Sequence, residues 1–199
     1  MAFDDLPRSE DDAATRRQRD RWIGVYIGSL AVILAICAVG GGNAAKNATQ
    51  RNIEAANTWS FFQAKNLRRQ IVRKHIDDLE LLLDTTPTLS AEQQTKIAEK
   101  IASNKAYEAT LTSDAKSNEG LDQLFHRGKA LEAERDKAMA QDPYFDFGQA
   151  CLQIAIVLAS IAIISGGSAL LMFSGLLGVA GSLLTLNGFL MLIHIPGIG

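Results

Sequence analysis

The stretch FGQACLQIAIVLASIAIISGGSALLMFSGLLGVAGSLLTLNGFLMLIHI, residues 147–195, decides how this chain folds. It belongs to a run of 53 residues, Phe147 to Gly199, without a single Asp, Glu, Lys or Arg. Ionised side chains are costly in hydrocarbon, so a run of this length points to lipid as its solvent. Gly166-Gly167-Ser168 interrupts it with a tight turn and divides it into spans over 143–165 and 169–195. At about 1.5 Å per residue, each is long enough to cross roughly 30 Å of hydrocarbon. Asp142-Pro143 marks the start of the earlier span, as an N-cap followed by proline at the first helical position. Tyr144, Phe145 and Phe147 form an interfacial belt beside it.

A second charge-free run, Trp22 to Ala45, places another span over residues 21–42, opened by the amphipathic rings of Trp22 and Tyr26. Its apolar length of about 20 residues exceeds the 7–15 of a cleaved signal core, so it reads as a retained anchor. Arg16, Arg17, Arg19 and Arg21 crowd its front, while Lys46 and Arg51 follow it. The positive-inside rule then puts the N-terminus in the cytoplasm and the segment after the span outside it. Residues 1–20 are polar and mixed in charge, which predicts a disordered tail.

Between the first two spans, residues 46–146 carry 15 basic and 16 acidic side chains. Helix signals dominate this water-exposed part, taken here as residues 43–142. Val72, Ile76, Leu79 and Leu83 repeat on one helical face. Thr85-Thr86-Pro87-Thr88 breaks that helix, and Ser90 with Gln93 reads as a capping box opening the next. Ser113 to Gly120 is a further break. The pattern predicts helices over about 43–84, 90–112 and 119–141, packed as a hairpin or coiled coil. The fold class is therefore an all-α membrane protein with three transmembrane helices and a long helical segment between the first and second.

Several short blocks resemble a known bacterial family. They are Asn43-Ala44-Ala45, Ala56-Asn57, Trp59, Phe62-Gln63-Ala64-Lys65, Tyr144-Phe145-Asp146 and Leu152 to Ala162. Together they are similar to the family called domain of unknown function 4337, with Phe62 where that family carries tyrosine. The resemblance implies a bacterial membrane protein and assigns no activity.

Chemistry-bearing motifs are sparse. His75, His126 and His194 lie far apart, and no phosphate loop, HExxH, CxxC or GxSxG pattern occurs. The sequence predicts no catalytic site, no cofactor and no metal site, with His75 and Asp78 reading as a solvated helix face. Cys37 and Cys151 sit in apolar runs and behave as small hydrophobes. Arg68, Arg69, Arg73 and Lys74 are followed at once by Asp77 and Asp78, so they read as a solvated face with no nucleic acid as partner.

The spans say more. Gly24, Gly28, Ala31, Ala35 and Ala38 recur at spacings of 4, 3, 4 and 3, which lines one helix face with small residues. In lipid, helices associate by close backbone approach, and such a face allows it, within the chain or between copies. Cys151, Ala155 and Ala159 form a similar stripe, as do Gly175, Gly178 and Gly181. Gln149, Gln153 and Asn187 place amides at membrane depth, where they line a pore or bond between helices. Trp59 and Phe62 lie more than about 20 Å past the first span on a straight helix. They either pack on the helix near Leu121–Phe125 or anchor a partner protein.

These features predict a membrane-anchored structural or scaffolding protein of the bacterial inner membrane that self-associates, with membrane lipid and other envelope proteins as partners. The alternative is a homo-oligomeric channel with polar residues of the second and third spans facing its pore.

Overall fold

The computed structural model describes the backbone of residues 6–196 and the side chains of residues 14–196. The described residues form four helices: α1 (Leu6–Thr85), α2 (Ala91–Thr112), α3 (Leu121–Ser165) and α4 (Ser168–Leu190). Among the described residues there is no strand. Three of the helices, α1, α3 and α4, are long and apolar enough to cross a membrane.

Three boundaries differ from expectation. Residues 6–20, assigned above to a disordered tail, belong to α1, while residues 1–5 of that tail lie outside the described residues. Ala13, Ala14, Arg16, Arg17 and Gln18 are good helix formers, and extending an existing helix costs far less than nucleating one.

Pro143 does not start a helix but sits inside α3, which joins the expected helices 119–141 and 143–165 into one. Proline there removes one backbone hydrogen bond and costs about 3 kcal/mol. Burial of Tyr144, Phe145 and Leu152 immediately after it holds the helix together. α4 stops at Leu190 rather than at 195, because Met191 turns left-handed (φ 49°) and its N–H bonds the Asn187 carbonyl at 2.7 Å. The Asn187 side chain then accepts from Ile193 N at 3.0 Å and donates to Ile193 O at 2.8 Å, which replaces the helical ladder.

Elsewhere local chemistry and structure agree. The Ser90 hydroxyl accepts from Gln93 N at 3.2 Å and the Gln93 side chain accepts from Ser90 N at 2.9 Å, so the capping box forms as read.

The chain divides into two compact units. The membrane unit comprises α1 through Ala48 and the chain from Asp136 onward; the middle unit comprises Thr49–Arg135. The core of the membrane unit is built from Leu30, Cys37 and Ala44 on α1 with Phe145, Leu152 and Ala155 on α3. Ser174, Gly178, Gly181, Thr185 and Gly188 form the buried face of α4. In the middle unit, Ala55, Thr58 and Ile76 of α1 are buried with Ile101 and Leu111 of α2 and Leu121, Leu124 and Leu131 of α3.

Candidate functional site

In the membrane unit, α1 turns a heptad-spaced row of Ile23, Leu30, Cys37 and Ala44 inward. The small face read from sequence is a different one. Gly24, Gly28, Ala31, Ala35 and Ala38 are all exposed, and a Cβ added at Gly24 or Gly28 would meet nothing within 4 Å. The α1 glycines that pack within the unit are Gly40, where a Cβ would fall 2.5 Å from the Phe145 ring and 2.8 Å from the Phe189 ring, and Gly41, where it would fall 3.1 Å from the Phe145 side chain.

The stripes on the other two spans are used within the unit. Ala155 and Ala159 are buried, with Cys151 half-buried. Gly178 and Gly181 lie against Leu30 and Leu152, where an added Cβ would come within 3.0 Å and 2.8 Å, whereas Gly175 has open space.

The polar residues at membrane depth divide in the same way. Asn187 spends its amide on the backbone of Ile193. Tyr144 closes the same turn, donating to Ile193 O at 3.2 Å and accepting from Ile195 N at 2.9 Å. Gln149 is half-buried and Gln153 is exposed. On α3 they share one outward face with Asp142, Asp146 and Ser160, at spacings of four and three with one turn of Ile156 and Val157 between.

A polar junction that sequence reading passed over ties the three spans together. The Tyr26 hydroxyl on α1 donates to Ser174 O on α4 at 2.9 Å, and Ser174 Oγ donates to Ala155 O on α3 at 2.6 Å. Ser174 is fully buried. The available signal was the 4-3-4-3 recurrence of Ser174, Gly178, Gly181, Thr185 and Gly188, which the glycine-only reading at spacing three missed. Beside this junction, Arg19, Trp22, Ile23, Tyr26, Leu171 and Gly175 line a shallow apolar groove of about 350 Å³.

In the middle unit, Trp59 packs edge-on to Phe62 at 5.5 Å and to Phe125 at 5.7 Å. Its indole N–H donates to Glu132 at 2.9 Å, and Lys129 stands over its ring at 5.8 Å while also pairing with Glu132 at 2.8 Å. The Lys129 ammonium, and after it the indole N–H, hold the Glu132 carboxyl below the usual range. Gly128 gives the indole its room, since a Cβ there would come 2.9 Å from it. Trp59 is thereby half-buried within its own unit.

Three members of the charged block on α1 have side-chain partners: Arg73 with Glu108 at 2.6 Å, Lys74 with Asp78, and Arg69 with the Asn66 side chain at 3.0 Å. His75, His126 and His194 are exposed. Among the described residues no group of three or more His, Cys, Asp or Glu is placed to hold a metal ion.

Neither a curated protein nor a solved structure matches the chain. A family model does match, that of "Domain of unknown function (DUF4337)", over residues 19–191, which takes in all three spans and the segment between them. The chain is therefore a member of the DUF4337 family.

Proposed function

We propose that this protein is a membrane-anchored structural element that assembles with copies of itself through the small-residue face of α1, with no enzymatic step. The observation that carries this reading is that Gly24, Gly28, Ala31, Ala35 and Ala38 stay exposed while Ile23, Leu30, Cys37 and Ala44 form the inward row. A glycine costs about 1 kcal/mol relative to alanine inside a helix. Two of them on a face where, among the described residues, an added Cβ would meet nothing within 4 Å bring no return within the monomer, whereas close backbone approach by a second helix would supply one. The reading places the protein in a bacterial inner membrane, N-terminus cytoplasmic on the strength of Arg16, Arg17, Arg19 and Arg21. It makes lipid and other envelope proteins the neighbours the assembly would organise.

The test is Gly28→Leu, run beside wild type on native gels in mild detergent. Disruption of the larger species is expected. An assembly unchanged in size by that substitution removes α1 as the contact.

A second reading, a homo-oligomeric channel, is favoured by Gln153, whose exposed amide lies within the α3 span. An amide in hydrocarbon needs a hydrogen-bond partner, and a hydrated lumen would supply it. Purified protein in planar bilayers would then conduct, with Gln153→Leu lowering the current. No conductance above background in several lipids and salts would set this reading aside.

A further inference from the structure

Beyond the membrane, α1 has a second outward face that its own unit leaves uncovered. Ile53, Asn57, Ser60, Ala64, Leu67 and Ile71 follow one another at spacings of three and four, and every one of them is exposed. The three large apolar side chains among them are far out of the core: Ile53 is 56% exposed, Leu67 58% and Ile71 62%. The middle unit packs instead on the other side of the helix, through Ala55, Thr58 and Ile76. Ile53 lies eight residues past Ala45, the last residue of the charge-free run, so acyl chains are not its natural cover.

Charge decides what covers it. Between Ile53 and Ile71 the helix carries Glu54, Lys65, Arg68 and Arg69; none of them is a member of this face, Arg68 flanks its edge, and Glu54, Lys65 and Arg69 lie further round the helix. Beyond Ile71 the face takes up Lys74 and Asp78, which pair with each other. Copies inserted in one membrane share one orientation, so α1 would meet its equivalent in parallel and each residue would meet its own counterpart. A charge on such a seam would face the same charge, and a face without charges avoids that repulsion. An unrelated partner would impose no such rule.

The two polar members also suit a like-with-like contact. The Asn57 amide is at once donor and acceptor and can pair with its counterpart, as single asparagines do in fixing the register of parallel coiled coils. The Ser60 hydroxyl bonds its own Ala56 carbonyl at 2.8 Å and keeps its capacity to accept.

We infer that Ile53, Asn57, Ser60, Ala64, Leu67 and Ile71 form the seam of a parallel α1–α1 coiled coil between two copies of this chain, outside the membrane. This rests on the self-association proposed above, and adds to it a second contact of different chemistry.

Disulfide trapping tests the inference in native membranes. Cysteine is introduced singly at Ser60, Ala64 or Leu67 on the seam, or at Arg68 or Gln70 beside it, and the chain with only Cys37 and Cys151 sets the background. Disulfides need Cβ atoms about 3.5–4.5 Å apart, which only seam positions would offer. Dimer bands at 60, 64 and 67, several-fold above those at 68 and 70, are expected. Equal trapping at all five positions would mean random collision and overturn the seam. No trapping anywhere, in a protein whose assembly still responds to Gly28→Leu, would overturn the seam and leave the membrane contact standing. No trapping and a monomeric wild type would overturn both.

Discussion

The hydroxyl of Tyr26 on α1 donates to the backbone carbonyl of Ser174 on α4 at 2.9 Å, and Ser174 passes the link to α3 through its own hydroxyl. Three spans are thus joined at one depth by two side chains, and each bond satisfies a hydroxyl that hydrocarbon would leave without a partner. Close packing permits the junction: an added Cβ at Gly178, one turn along α4, would come 2.8 Å from the Tyr26 oxygen.

Tyr26→Phe removes one interhelical bond and leaves the Ser174–Ala155 bond in place. It should cost about 0.5–1.5 kcal/mol. Gly178→Leu should cost more, because it drives a side chain into Tyr26 and Leu30. Reversible unfolding in bicelles measures both; equal stability of Tyr26→Phe and wild type would deny the junction its role.

Glycines on the two sides of α1 should behave oppositely. Gly40→Ala places a methyl 2.5 Å from the Phe145 ring and should destabilise the membrane unit by about 1–3 kcal/mol. Gly28→Ala meets nothing within 4 Å and should be neutral or stabilising by up to about 1 kcal/mol in the monomer. The same unfolding measurement ranks them, and a Gly28→Ala loss as large as that of Gly40→Ala would mean the faces are wrongly assigned.

The contrast between Gly28 and Gly40 also shows how far the sequence could be read. Absence of charge located the spans, and Ser90 with Gln93 announced the start of α2, because each signal is local and needs no partner. The faces were harder. Periodicity marked Gly24 to Ala38 as one side of a helix, yet whether that side turns inward depends on Ile23, Leu30 and Cys37 outcompeting it for α3 and α4, which no single-helix pattern encodes. Pro143 misled for the same reason: its local preference for a helix start lost to the packing of Tyr144 and Phe145. Ser174 was passed over because a serine among leucines shows its role only when Tyr26 and Ala155 are seen beside it.

Glu132 should make the middle unit acid-sensitive. Its carboxyl is held below the ordinary value chiefly by Lys129, with the Trp59 indole contributing. A lowered folded-state pKa stabilises the fold above the unfolded carboxylate value, near 4.3, and this contribution is lost as pH falls through the folded value. In a Trp22→Phe background, Trp59 emission should therefore change as the solution is acidified below about pH 4.3, and Glu132→Gln should remove that transition. A transition unchanged in Glu132→Gln would assign it to another group.

Gly128→Ala should disturb the aromatic cluster from its other side. The new methyl would lie 2.9 Å from the indole, so Trp59 must shift away from Glu132. Red-shifted emission and a loss of about 1–3 kcal/mol in the stability of the middle unit are expected. Unaltered emission would mean that the indole sits elsewhere.

Self-association is tested most directly by the mass of the purified wild-type particle in detergent, from light scattering corrected for bound detergent. One discrete species of two or more copies, stable on dilution, is expected. A particle of the mass of a single 21.5 kDa chain across the accessible concentrations would contradict it.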